Sequence, residues 1–127
     1  MKSIKIIAII AFFFTANLSA QNAAWPALKT YDDVITRIVA QSQKSDFASV
    51  KYYAETLSLK SKALAKAEIP AAYDNKKVKA QIEKLEVKSG EVYTLASANA
   101  ANSSILEAVK EAEAIYREIV SLTVGKK

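Results

Sequence analysis

The chain has 127 residues, 51% of them hydrophobic and 24% charged, with a formal net charge of +5. It contains no histidine and no cysteine, and its one methionine is Met1. That inventory excludes disulfides and a Ser-His-Asp triad, and it removes the His, Cys and Met ligands on which most zinc, copper, iron–sulfur and haem sites depend. Only two glycines (Gly90, Gly125) and two prolines (Pro26, Pro70) occur, too few for the turns of an all-β chain.

Residues 1–20 read as a signal peptide. Lys2 and Lys5 supply a basic start, Ile6 to Phe14 is an unbroken apolar run, and Ala20 offers a small residue for cleavage before Gln21. The run is shorter than the ~20 apolar residues a membrane span needs. With no cysteine near the cleavage point, a lipid anchor has no attachment site. The expectation is export to the periplasm, or secretion, with residues 21–127 forming one domain. Losing Lys2 and Lys5 lowers the net charge from +5 to +3, a mild bias rather than a nucleic-acid footprint.

After Trp25-Pro26, apolar residues recur at Leu28, Tyr31, Ile35 and Ile38, with Val34 and Val39 widening the stripe. This spacing predicts a helix over 25–42 with one buried face. A polar stretch, 41–45, breaks it, and Ser45 or Asp46 can cap the next helix. Fusion of the first two helices through that stretch would instead give a three-helix arrangement. Phe47, Val50, Ala54, Leu57, Ser61 and Leu64 predict a second helix over 46–67, ended by Ile69-Pro70. Ser61 sits on the apolar stripe, where its hydroxyl can bond back to a carbonyl of the preceding turn.

A third helix starts at Asp74 or Asn75 and carries Val78, Ile82, Leu85, Ser89, Val92 and Ala96. Gly90 lies inside it, at a cost of about 1 kcal/mol in helix propensity, and suggests a kink or a close approach. Residues 97–104 read as the next break. The fourth helix has the stripe Ile105, Ala108, Ala112, Ile115, Ile119 and Leu122, flanked by Val109, Tyr116 and Val120. Ser104 and Glu107 have capping-box spacing at its start, and Gly125 with Lys126 and Lys127 suits its end. The class is all-α, an antiparallel up-down-up-down four-helix bundle.

Chemistry is sparse on this frame. Tyr116 or Tyr93 could ligate haem, though an aromatic at a core edge is the ordinary role of such a tyrosine. Asp32 and Asp33 could approach a hard cation, but adjacent helix positions diverge by about 100°. Glu107, Glu111 and Glu118, with Lys110 and Arg117, have the spacing of an ion-paired solvent face. Lys60, Lys62 and Lys66, then Lys76, Lys77 and Lys79, flank the connection between helices 2 and 3 and are candidates for an anionic surface or an acidic partner. Tyr31, Tyr52, Tyr53, Tyr73, Tyr93 and Tyr116 are candidates for a partner groove.

The segments Leu28-Lys29-Thr30-Tyr31-Asp32-Asp33-Val34 and Ala114-Ile115-Tyr116-Arg117-Glu118-Ile119-Val120, on an exported chain, resemble the soluble periplasmic b-type cytochrome bundle. The resemblance implies that fold and compartment. It also implies a haem-ligating His after the aromatic of the last helix, where this chain has Arg117, and a Met early in the first helix, where the matching core position is Leu28. The expected function is therefore non-enzymatic: an exported bundle without cofactor that binds a partner protein, a small apolar ligand or an envelope surface, with a homodimer among the assemblies left open. The alternative is a haem or metal carrier using tyrosine or carboxylate ligands.

Overall fold

The structure is a computed structural model that describes residues 25–124. The expected signal peptide, residues 1–20, and the expected stop at Gly125, Lys126 and Lys127 lie outside the described residues. Four helices make up the described chain: α1 (Pro26–Gln43), α2 (Phe47–Lys66), α3 (Lys76–Ser97) and α4 (Asn102–Val124), with one 3-10 turn at Ala71–Tyr73. No strand occurs among the described residues.

The break between α1 and α2 is real, so the fused three-helix alternative falls. Its cause is local. Ser45 takes a left-handed backbone with φ 60°, and the Asp46 amide donates to the Gln41 carbonyl at 2.9 Å. These are the marks of a Schellman stop, in which a reversed residue lets the next amide reach back to the helix end. Asp46 then caps α2, its carboxylate accepting from the Ser49 amide at 3.2 Å and the Ser49 hydroxyl at 2.7 Å. Asn75 rather than Asp74 caps α3, accepting from the Val78 amide at 2.9 Å.

The same stop recurs after α3. Asn99 has φ 55°, and the Ala100 amide donates to the Leu95 carbonyl at 2.9 Å. α4 begins earlier than its apolar pattern suggests, at Asn102, and the Ser104 and Ile105 amides both donate to the Ala101 carbonyl. Ser104 is thus already helical, and the Ser104–Glu107 capping box does not form the helix start. Asn102 and Ser103 belong to the helix rather than to the break, because as exposed first-turn residues they bury nothing and can be solvated.

One core joins the four helices. Tyr31, Ile35 and Ile38 enter it from α1, Val50, Ala54, Leu57 and Leu64 from α2, Val78, Ile82, Leu85, Val92 and Ala96 from α3, and Ile105, Ala108, Val109, Ala112 and Ile119 from α4. These are the stripes the 3- and 4-residue spacing picks out. Ser61 is buried and donates to the Ser58 carbonyl at 2.7 Å, so its place on the stripe leaves nothing unpaired. Each helix packs along its chain neighbour, while the α1–α4 seam is sparser. Gly90 meets nothing: a Cβ built there has no atom within 4 Å, and its φ is not positive. The close approach suggested for it does not occur among the described residues.

The connection between α2 and α3 holds more order than its sequence suggests. Pro70 leads into the short turn, whose Tyr73 is buried and stacks on Trp25 with ring centroids 5.9 Å apart. The turn also touches α4. This aromatic plug closes one end of the core and fixes where α1 enters it.

Candidate functional site

Two regions concentrate side chains with chemical character. The first lies inside, on the α1–α4 seam. Tyr31 is fully buried at 0% exposure, and its hydroxyl shares a 2.8 Å hydrogen bond with Ser89 of α3. Its ring packs at 5.6 Å on Tyr116 of α4, whose hydroxyl donates to Asp32 of α1 at 2.6 Å. Three helices are thereby cross-tied through two tyrosine tips. Burial pushes the Tyr31 phenol well above its usual value, against a small opposing effect of the Ser89 bond. Burial, and then the bond to Asp32, push the Tyr116 phenol up as well. Both phenols therefore hold their protons beyond the ordinary tyrosine range.

A cleft of about 90 Å³ sits over this array, lined by Asp32, Ile35, Thr36, Val39, Glu113, Tyr116 and Arg117. Arg117 is exposed and forks onto Glu113 through Nε at 3.0 Å and an Nη at 2.8 Å. The resemblance implies a haem held from Leu28 and Arg117. Leu28 brings no donor atom, and Arg117 is a cation already committed to Glu113. On this seam the buried Tyr31 ring packs on Tyr116. These residues do not fit a haem. Tyr116 is no better as a ligand, because ligation needs the phenolate that burial and Asp32 both oppose. Tyr93, at the outer edge of α3, stands 37% exposed.

The carboxylates do not assemble either. Asp33 turns to Lys29 at 2.9 Å on the surface, while Asp32 turns inward to Tyr116. Among the described residues, no three carboxylates converge as a metal site would require. On α4, Glu107, Glu111, Glu118, Lys110 and Arg117 are exposed, and Glu111 reaches across to Lys88 of α3 at 2.8 Å. Lys88 also holds Glu91 at 2.8 Å, and the two carboxylates, Glu111 first, raise its ammonium above the usual lysine value. Neither Lys88, the centre of this clamp on the α3–α4 seam, nor Glu113, the partner of Arg117, stands out in the sequence, where each is one charge among many. The buried cross-tie did leave a signal there: two polar residues, Tyr31 and Ser89, set on core stripes.

The second region lies outside, on α2. Tyr52 is 76% exposed and Leu59 54% exposed, two of the few large apolar side chains left in solvent. They stand two turns apart on one face. Tyr52 does not hang free. Its ring meets the Tyr53 ring edge to face at 4.9 Å, and the guanidinium of Arg37 on α1 lies over Tyr53 at 5.2 Å. A cation–π contact and an aromatic pair, each worth about 0.5–1 kcal/mol in exposed settings, hold the outer ring in place.

The basic residues near the α2–α3 connection are mostly solvated. Lys62, Lys66, Lys76, Lys77 and Lys79 are exposed, Lys60 is half-buried, and Lys79 pairs with Asp74 at 3.3 Å. A hollow of about 340 Å³ opens beside them, lined by Ala65, Ala67, Ile69, Asp74, Lys79, Ile82 and Glu83. No helix among the described residues is long and apolar enough to cross a membrane. Comparison with protein-family models, with curated proteins and with solved structures finds nothing that matches this chain.

Proposed function

We propose that this is an exported, non-enzymatic helical-bundle protein whose work is binding, and that it binds through the outward face of α2. One observation carries the reading. A chain that closes its core on every helix, and plugs one end with Trp25 and Tyr73, still presents Tyr52 and Leu59 to water. Rigid aromatics with an apolar neighbour are the usual anchors of protein–protein contacts, because little entropy remains to be lost on docking. Arg37 and Tyr53 supply that rigidity to Tyr52.

The basic start and apolar run of residues 1–20 support export. The short connections 44–46, 67–75 and 98–101 support an up-down-up-down, antiparallel course of the helices. With no histidine and no cysteine in the sequence, neither a Ser-His-Asp nor a Cys-His set is available to this chain. A haem or metal carrier ranks second: its one foothold is Tyr116 on the sparse α1–α4 seam, and that phenol is held protonated.

Oxidative footprinting tests the reading. The exported protein is labelled in its own envelope fraction and again after purification to dilute monomer. Protection of Tyr52 and Leu59 in the envelope fraction alone is the expected result. Equal labelling in both states refutes the α2 face, and a stoichiometric haem or metal mass on the native protein would replace binding with cofactor carriage.

A further inference from the structure

We propose that the occupant of the α2 face is a second copy of this chain, docked α2 against α2 in antiparallel fashion about a two-fold axis at Leu59. The inference rests on the binding reading above and names its partner.

The reasoning begins with spacing. Ala48, Tyr52, Glu55, Leu59, Lys62 and Lys66 recur at alternating intervals of four and three residues, and every one of them is exposed. The same helix buries Val50, Ala54, Leu57, Ser61 and Leu64 on its opposite side. α2 therefore carries two helical seams. One is filled by its own bundle and one is open.

The order of residues along the open seam then selects the partner. In an antiparallel pair, positions equidistant from the axis face each other. With the axis at Leu59, that leucine meets itself, Tyr52 lies seven residues out against the stem of Lys66 of the second copy, and Glu55, four residues before the axis, comes within one residue of facing Lys62 of the second copy, three after it. Symmetry makes each off-axis contact twice and closes the assembly at two chains. A parallel pairing would set Lys62 on Lys62 and Lys66 on Lys66, so charge selects the antiparallel sense. An anionic membrane is a poorer occupant, because Glu55 sits midway between the two apolar anchors and would be pressed into like charge. The Lys66 stem gives Tyr52 an apolar surface to cover while its ammonium stays in water.

The contact is small. One helix face covers less than the ~1,200–2,000 Å² of a standard stable interface, so a dissociation constant on the order of 10–1,000 µM is expected.

Sedimentation equilibrium of the exported protein, from about 10 µM to 1 mM, is the test. The expected result is a mass that climbs toward two chains. Leu59→Glu should abolish the climb, Glu55→Lys should weaken association about tenfold, and Glu55→Lys combined with Lys62→Glu should restore it. Circular dichroism on each variant checks that the bundle is intact, as expected for exposed sites. A monomer throughout the range overturns the inference, as does a dimer indifferent to Leu59→Glu and to the charge reversals. A monomer whose Tyr52 is still protected in the envelope fraction overturns the second copy alone. A monomer with Tyr52 unprotected there overturns the binding reading with it.

Discussion

Two tyrosine pairs divide the molecule's labour. Tyr31 and Tyr116 sit on the α1–α4 seam with rings 5.6 Å apart, and each hydroxyl is tied to a polar atom on another helix. Tyr52 and Tyr53 pair at 4.9 Å on α2, but there the outer ring, Tyr52, is left in solvent and meets Tyr53, over which the Arg37 guanidinium lies. The residue type is the same and the surroundings assign the role. A buried phenol must find a partner for its hydroxyl or forfeit about 1–3 kcal/mol, so the inner pair is committed to holding the helices together. An exposed ring owes nothing to the fold and is free to meet another molecule.

The largest contrast should appear on truncation. Tyr31→Ala removes a fully buried ring, and should lower unfolding stability by about 3–5 kcal/mol in urea or guanidinium titration. A loss below about 1 kcal/mol would mean that Tyr31 is not a core member and would break the comparison.

The hydroxyls alone come next. Ser89→Ala leaves the Tyr31 phenol buried with no partner, at a cost of about 1–3 kcal/mol. Tyr31→Phe should cost less, because a helical serine can turn its hydroxyl to a carbonyl of the preceding turn, as Ser61 already does. The double variant should be more stable than the sum of the two losses predicts. Strict additivity would show that the 2.8 Å bond contributes nothing of its own.

Alkaline pH reads the same array without mutation. Both phenols are raised by burial, Tyr116 further by Asp32, so the native state holds protons that the unfolded chain releases near its ordinary tyrosine value of about 10. The unfolded state then binds fewer protons, and stability falls as pH climbs past about 10. Lys88, raised by Glu111 and Glu91, adds to the fall in the same range. Below pH 10 the contribution is fully present. Tyr31→Phe with Tyr116→Phe should flatten the decline in urea midpoints above pH 10.

Much of the inner array could be read from the chain. Apolar spacing finds the stripes of all four helices, including Tyr31 on α1 and Ser89 on α3, because burying one face is the main driving force for folding and leaves a periodic trace. What spacing lacks is pairing between helices. That Tyr31 meets Ser89 rather than a closer serine, or that Asp32 and Asp33 part company, depends on how the helices rotate and slide, and no interval along one helix records it. The stops were legible as polar breaks but not as left-handed backbone at Ser45 and Asn99, since those residue types visit that conformation only when a helix end demands it. The early start of α4 was hidden for the opposite reason: exposed first-turn residues leave no apolar trace. On α2 the second seam was present in the sequence all along, masked by the stronger core stripe on the other side.

The smallest effect on stability carries the sharpest division between the pairs. Tyr52→Ser deletes a ring that is 76% exposed, and should change unfolding stability by no more than about 1 kcal/mol. The change removes the aromatic contact with Tyr53, and Tyr53 retains the guanidinium of Arg37 over its ring. Self-association in the sedimentation series should nevertheless weaken. The inner pair would show the reverse, with stability lost and association, where the bundle persists, untouched. If Tyr52→Ser instead destabilised the monomer by about 2 kcal/mol or more, a value reserved for groups with buried partners, the outer ring would belong to the fold and the two pairs would share one structural role.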